Sequence, residues 1–135
     1  MKIVAHISDL HFGTEDLNAA EALIEDLQGL GLSLLIISGD LTQRARKKQF
    51  IDAQRYLQKL PKPQLVIPGN HDIPLFDIFR RIFMPLKRFR KYICGNLTPA
   101  HNEKGLAVLG LNTARPYKWK NGAISQEQIE QIQAH

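Results

Sequence analysis

The chain contains one cysteine, Cys94, so no disulfide can form within it. A lone thiol fits a reducing compartment. No apolar run approaches the roughly 20 residues that a membrane-crossing helix needs. The short N-terminal run Ile3-Val4-Ala5 is interrupted by His6, which rules it out as a secretory leader. These absences lead to the expectation of a cytoplasmic protein with no membrane span. Repeats, low-complexity tracts and linker composition are also absent, so residues 1–135 read as a single domain. What is present suffices for one core: 44% of the residues are hydrophobic, an ordinary share for a globular protein. The formal net charge of +5 favours anionic partners such as nucleotides, nucleic acids or acidic lipid surfaces, without choosing among them.

The first half alternates strand and helix signals. Lys2 to Ser8 is apolar and β-favouring. Leu17, Ala20, Ile24, Leu27 and Leu30 recur at helical spacing, with Gly29 and Gly31 as stops. Leu34 to Ser38 is a continuous apolar run, the mark of a strand covered on both faces. Phe50, Ala53, Leu57 and Leu60 define a second amphipathic helix, ended by Pro61 and Pro63. Leu65 to Ile67 forms a short third strand. The order βαβαβ predicts an α/β fold with parallel strands and right-handed crossovers. Further on, Ile78, Phe79, Ile82, Phe83 and Leu86 predict a helix broken near Pro85, and Leu106 to Leu111 a strand. Asn121-Gly122 marks a turn. Ser125 opens a last helix, with Gln128 completing a capping box.

Polar clusters follow each of the three predicted parallel strands: Asp9-Leu10-His11, Gly39-Asp40, and Gly69-Asn70-His71-Asp72. Ligands of open parallel sheets bind at the carboxyl ends of the strands. Residues i and i+2 of an extended chain share a side, so Asp9 and His11 are expected to converge. Oxygen and nitrogen donors without a thiolate suit Mn, Fe, Zn or similar divalent ions. Each cluster also admits a plainer reading as helix caps and turns. His6 reads as a structural strand residue, His101 and His135 as solvated, and Cys94 as a small core residue.

With its flanks, His6-Ile7-Ser8-Asp9-Leu10-His11-Phe12-Gly13, Ser38-Gly39-Asp40-Leu41-Thr42 and Pro68-Gly69-Asn70-His71-Asp72, the chain resembles the calcineurin-like metallophosphoesterase superfamily. It is similar to bacterial members of the group that includes class III cyclic-nucleotide phosphodiesterases. The resemblance implies the N-terminal half of a four-layer α/β/β/α sandwich and a dinuclear metal site. In that pattern Asp9 and His11 bind one metal, Asp40 bridges two, and Asn70 binds the second. Two such ions, about 3.5–4 Å apart, stabilise the attacking and leaving oxygens of an in-line displacement. His71 would protonate the leaving group, and Asp72 would orient the His71 ring. The family pattern goes on to a separate histidine motif and Gly-His-x-His, which these residues lack, so the chain is expected to be truncated at its C-terminus.

The function implied is hydrolysis of a phosphate mono- or diester, a cyclic nucleotide among them. A nuclease of the same superfamily and a non-catalytic metal-binding module are the alternatives. A small phosphate ester or nucleotide is favoured over nucleic acid as partner, and an oligomer is left open. Arg80, Arg81, Lys87, Arg88, Arg90 and Lys91 lie in a stretch without an acid. They read as a basic wall for an anionic substrate or as a solvated helix face. Arg44, Arg46, Lys47 and Lys48 carry the same two readings. Asn112 and Arg115 read either as phosphate contacts at a rim that runs to Gly122, or as turn residues.

Overall fold

Three parallel strands form the spine of the computed structural model, which describes residues 1–134. They are β1 (Val4–Ile7), β2 (Leu34–Ser38) and β3 (Gln64–Ile67), adjacent in that order. Val4 pairs with Leu34, and Leu35 with Gln64, so the three strands end at nearly one level. The central strand is β2, and Leu34, Leu35 and Ile37 are fully buried, as its unbroken apolar run predicts.

Helices α1 (Leu17–Gln28) and α2 (Lys47–Lys59) are the crossovers between these strands. Asp16 caps α1 by accepting from the backbone N–H groups of Asn18 and Ala19. Phe50, Ala53, Tyr56 and Leu57 of α2 pack with Leu35, Ile37 and Val66 of the sheet in the main core. The Tyr56 hydroxyl donates to the Ala20 carbonyl at 2.7 Å and ties the two helices together. α1 ends at Gln28, so Leu30 lies beyond it and is half exposed, contrary to its expected place on the helix.

The next region has a break at Pro85, as expected. It separates two short helices, α3 (Ile78–Phe83) and α4 (Lys87–Tyr92). The apolar spacing of α3 predicts a buried face, but Phe79 and Phe83 are 64% and 68% exposed and Ile78 and Ile82 are also open. Leu86 and Phe89 enter the core instead. A separate antiparallel hairpin follows, β4 (Ala100–Glu103) and β5 (Leu106–Leu109). It takes His101, expected in a solvated loop, into a half-buried strand position. Beyond it, Gly110 sits where any side chain would collide with Leu65 and Ile67 of β3. Lys2 reaches Glu103 at 2.8 Å, which joins the start of the chain to β4.

The last helix, α5 (Gln126–Ala134), carries the expected capping box. Gln128 N–H donates to the Ser125 hydroxyl at 3.3 Å, and the Gln128 side chain accepts from Ser125 N–H at 3.0 Å. His135 lies outside the described residues. Among those described, no helix is long and apolar enough to cross a membrane.

Candidate metal centre

The loops after β1 and β2 run side by side past the end of the sheet. Asp9 N–H donates to the Gly39 carbonyl, His11 N–H to Asp40 at 2.9 Å, and Phe12 N–H to Leu41 at 2.8 Å. This pairing holds the backbone in an unusual form: Asp9, His11 and Asp40 all have positive φ, at 58°, 46° and 51°. The alternation of an extended chain therefore does not operate here. Asp9 and His11 converge because the paired loops curl, a correction to the strand-based expectation.

The convergence itself is observed. A carboxylate oxygen of Asp9, a ring nitrogen of His11 and a carboxylate oxygen of Asp40 lie within 4.8 Å of one another. His11 Nε2 is 3.5 Å from Asp9 Oδ1, while its Nδ1 is buried without a hydrogen-bond partner. Two carboxylates and an imidazole with an unsatisfied nitrogen form a donor set that fits a divalent cation. Asn70 opens a single 3₁₀ turn, Asn70–Asp72, and borders the same cleft of about 240 Å³ as Asp9 and Asp40.

Two glycines make this approach feasible. Gly39, at φ 78°, touches Gly69 so closely that a Cβ on Gly39 would lie 2.7 Å from Gly69 backbone atoms. A Cβ on Gly69 would fall 2.1 Å from Asp40 Oδ1. With no side chain there, Asp40 Oδ1 accepts the His71 backbone N–H at 2.9 Å.

The His71 ring packs edge-on to His11, with centroids 4.8 Å apart. Its Nδ1 lies 3.0 Å from the Gln43 carbonyl. That carbonyl, rather than the Asp72 carboxylate, orients the ring. Asp72 instead faces inward and is 1% exposed. Its Oδ2 accepts from the N–H groups of Gly69 and Leu41, and its Oδ1 from the N–H and hydroxyl of Thr42. It thus clamps the loop after β2 to the turn after β3. Burial pushes its carboxyl up to about 6, against the opposing pull of these four donors. Thr42 is a contributor that sequence reasoning missed, for nothing in its immediate neighbours marks it as the anchor of Asp72.

Beside His71 lies a second cleft, of about 210 Å³, lined also by Gln43, Arg44, Asn70, Trp119 and Lys120. Lys120 borders both clefts. Arg81, expected in a basic wall or on a solvated face, is buried. Its guanidinium donates to the Pro74 and Lys118 carbonyls and lies 4.3 Å from the Trp119 ring centroid. Arg115 likewise takes up the turn role. It donates to the Asn112 carbonyl at 2.8 Å and to the Gln128 side chain at 2.7 Å. His6 donates to or accepts from the Ser38 hydroxyl across the strands. Cys94 is half buried against the core.

The ordered loops, their donors and the parallel sheet beneath them agree with what sequence comparison finds. The calcineurin-like phosphoesterase family matches residues 3–132, and the chain belongs to that family. One relative is glycerophosphodiester phosphodiesterase GpdQ of Enterobacter lignolyticus (strain SCF1). It is 36% identical over 81 aligned residues, covering 52% of this chain and 29% of the relative. The matched region thus spans less than a third of that protein's length.

Proposed function

We propose that the protein hydrolyses a phosphate mono- or diester with the help of divalent cations held at the loops after β1, β2 and β3. The observation that carries this reading is the convergence of the Asp9, His11 and Asp40 donors within 4.8 Å. On this reading Asp9 and His11 would hold one ion and Asn70 a second, with Asp40 shared between them, and Mn, Fe or Zn would suit these donors. Bound ions of this kind supply Lewis acidity at the phosphoryl group and lower the pKa of water.

The chain's own groups supply the rest. The Gln43 carbonyl can only accept, so the His71 Nδ1 beside it carries the hydrogen. When the ring is protonated at both nitrogens, Nε2–H is the group left to pass a proton to the departing oxygen. Asp72 acts through the backbone, by fixing Leu41, Thr42 and Gly69 around Asp40. Arg44 and Lys120 bring positive charge to the cleft that His71 lines and draw an anionic ester towards it. A cyclic nucleotide is one diester that this reading admits, on the strength of the family resemblance.

The test is turnover of bis-p-nitrophenyl phosphate and p-nitrophenyl phosphate, with Mn²⁺ or with chelator, in the natural chain and in Asp40→Asn. Mn²⁺-dependent turnover that Asp40→Asn abolishes supports the proposal. Cleavage of DNA but of neither small ester would move the reading to a nuclease. Tight Mn²⁺ binding with no turnover on any substrate would make the chain a metal-binding module.

A further inference from the structure

A cavity of about 310 Å³ opens between the start of α2 and the α3–α4 break. Five cationic side chains line it: Lys47, Arg80, Lys87, Arg88 and Lys91. Asp72 is the one acidic residue in its wall, and both its oxygens are taken by four donors of the adjoining loops. Arg80 pairs with Asp77 at 3.1 Å. The other four cations have no acidic partner within 4 Å among the described residues. Arg88 is fixed in place by donating to the Ala45 carbonyl at 2.7 Å. Lys87 meets only the sulfur of Met84, and Lys91 lies over the Tyr92 ring. Lys47 is the first residue of the thirteen-residue helix α2, where free N–H groups add positive potential.

Like charges gathered around one concavity repel each other, and the arrangement is eased most by an anion that several can reach at once. Burial lowers the Arg88 guanidinium from its usual range and the charge of Arg80 lowers it further, against a weaker opposing pull from Asp77 and Tyr92. Asn70 and His71 line the clefts of the candidate metal centre and not this cavity. The volume is at the small end of the roughly 300–1,000 Å³ typical of ligand sites. Four cations without an acidic contact of their own in so small a space suit the charge of two linked phosphates.

We propose that this cavity is a second, anion-binding site that takes a diphosphate group, either free or as part of a nucleotide. The site does not depend on the phosphoesterase reading, because none of its cations belongs to the metal centre.

The experiment is calorimetric titration of the intact chain with inorganic diphosphate and with ADP. Chelator is present throughout, so that no metal ion bridges either ligand to Asp9, His11 or Asp40. The natural chain is compared with Lys47→Gln/Lys91→Gln, whose two positions are exposed and make no hydrogen bond the fold needs. Lys59→Gln/Lys104→Gln serves as a control with the same change of charge outside the cavity. Saturable binding is expected, weakened about tenfold or more by the cavity variant. The control should leave it nearly unchanged. Equal affinity for the two ligands assigns the site to free diphosphate, and tighter binding of ADP assigns it to a nucleotide. Binding of neither ligand, or equal loss in both double variants, would overturn the proposal.

Discussion

Asp40 and His71 are joined by a hydrogen bond from the His71 backbone N–H to Asp40 Oδ1, 2.9 Å long and spanning 31 positions of sequence. It exists because Gly69 leaves room for the Asp40 carboxylate. A methyl group at that position would lie 2.1 Å from the same oxygen. Gly69→Ala is therefore expected to push Asp40 aside. Displacing a reacting group by about 1 Å can cost on the order of 100-fold in rate. Mn²⁺ titration and ester turnover should both fall in this variant, while far-UV circular dichroism stays close to that of the natural chain.

His71 offers a test based on the leaving group. A proton donor matters most when the departing oxygen is strongly basic. His71→Ala should slow cleavage of an alkyl phosphate ester by roughly 10²–10⁴-fold. With a p-nitrophenyl ester the loss should be much smaller, because that leaving group departs without protonation. Comparable losses on both esters would assign the ring to positioning instead.

The Asp72 carboxyl has an ordinary value of 3.8 and rises to about 6 on burial. Between these values the folded chain holds more protons than the unfolded one. Its contribution to stability is then fully present below pH 3.8 and is lost as pH rises through about 6. The total is roughly 3 kcal/mol, because each tenfold gain in proton affinity on folding is worth about 1.4 kcal/mol. Denaturant unfolding from pH 4 to 7, with chelator present, should show this slope in the natural chain and not in Asp72→Asn. Asp72→Ala should be destabilised by about 3 kcal/mol or more at pH 7, since four buried donors lose their acceptor.

Metal should stabilise the folded chain by mass action. Mn²⁺ at about 100 times its Kd is expected to add about 2.7 kcal/mol. Thermal unfolding with Mn²⁺ and with chelator measures the difference, and Asp40→Asn should abolish it.

Arg81 holds the segment that carries Trp119 against α3, through the Lys118 carbonyl and the indole face. Arg81→Met keeps the length of the side chain but loses its hydrogen bonds. It should lower stability by about 1–3 kcal/mol. It should also raise KM more than it lowers kcat, because Trp119 and Lys120 line the cleft that His71 lines.

The three parallel strands were readable because each is a short apolar run ending in turn chemistry, and the Ser125–Gln128 cap because its signal is local. The donors Asp9, His11 and Asp40 were readable because strand ends in a parallel sheet share one edge. Asp72 shows where such reading stops. Its partners Leu41 and Thr42 lie 31 and 30 positions away, so neighbouring residues could not reveal that it ties two loops together. Strand β4 was missed because Ala100-His101-Asn102-Glu103 has no β-favouring side chain and is held by pairing with β5. The periodicity of α3 was real, but no element packs over its apolar side among the described residues. Periodicity reports a face and not what covers it.

Of the four non-glycine residues with left-handed backbone among those described, three are Asp9, His11 and Asp40. For an L-residue that conformation costs roughly 1–2 kcal/mol, somewhat less for aspartate, and glycine escapes the cost. The substitutions that would most relax this backbone are thus the ones that would remove its donors. A descendant freed from its chemistry could gain stability by drifting to glycine at Asp9 and His11, whereas at Asp40 the relief is offset by the lost acceptor of the His71 N–H. The loss of activity would then be recorded as a sturdier fold.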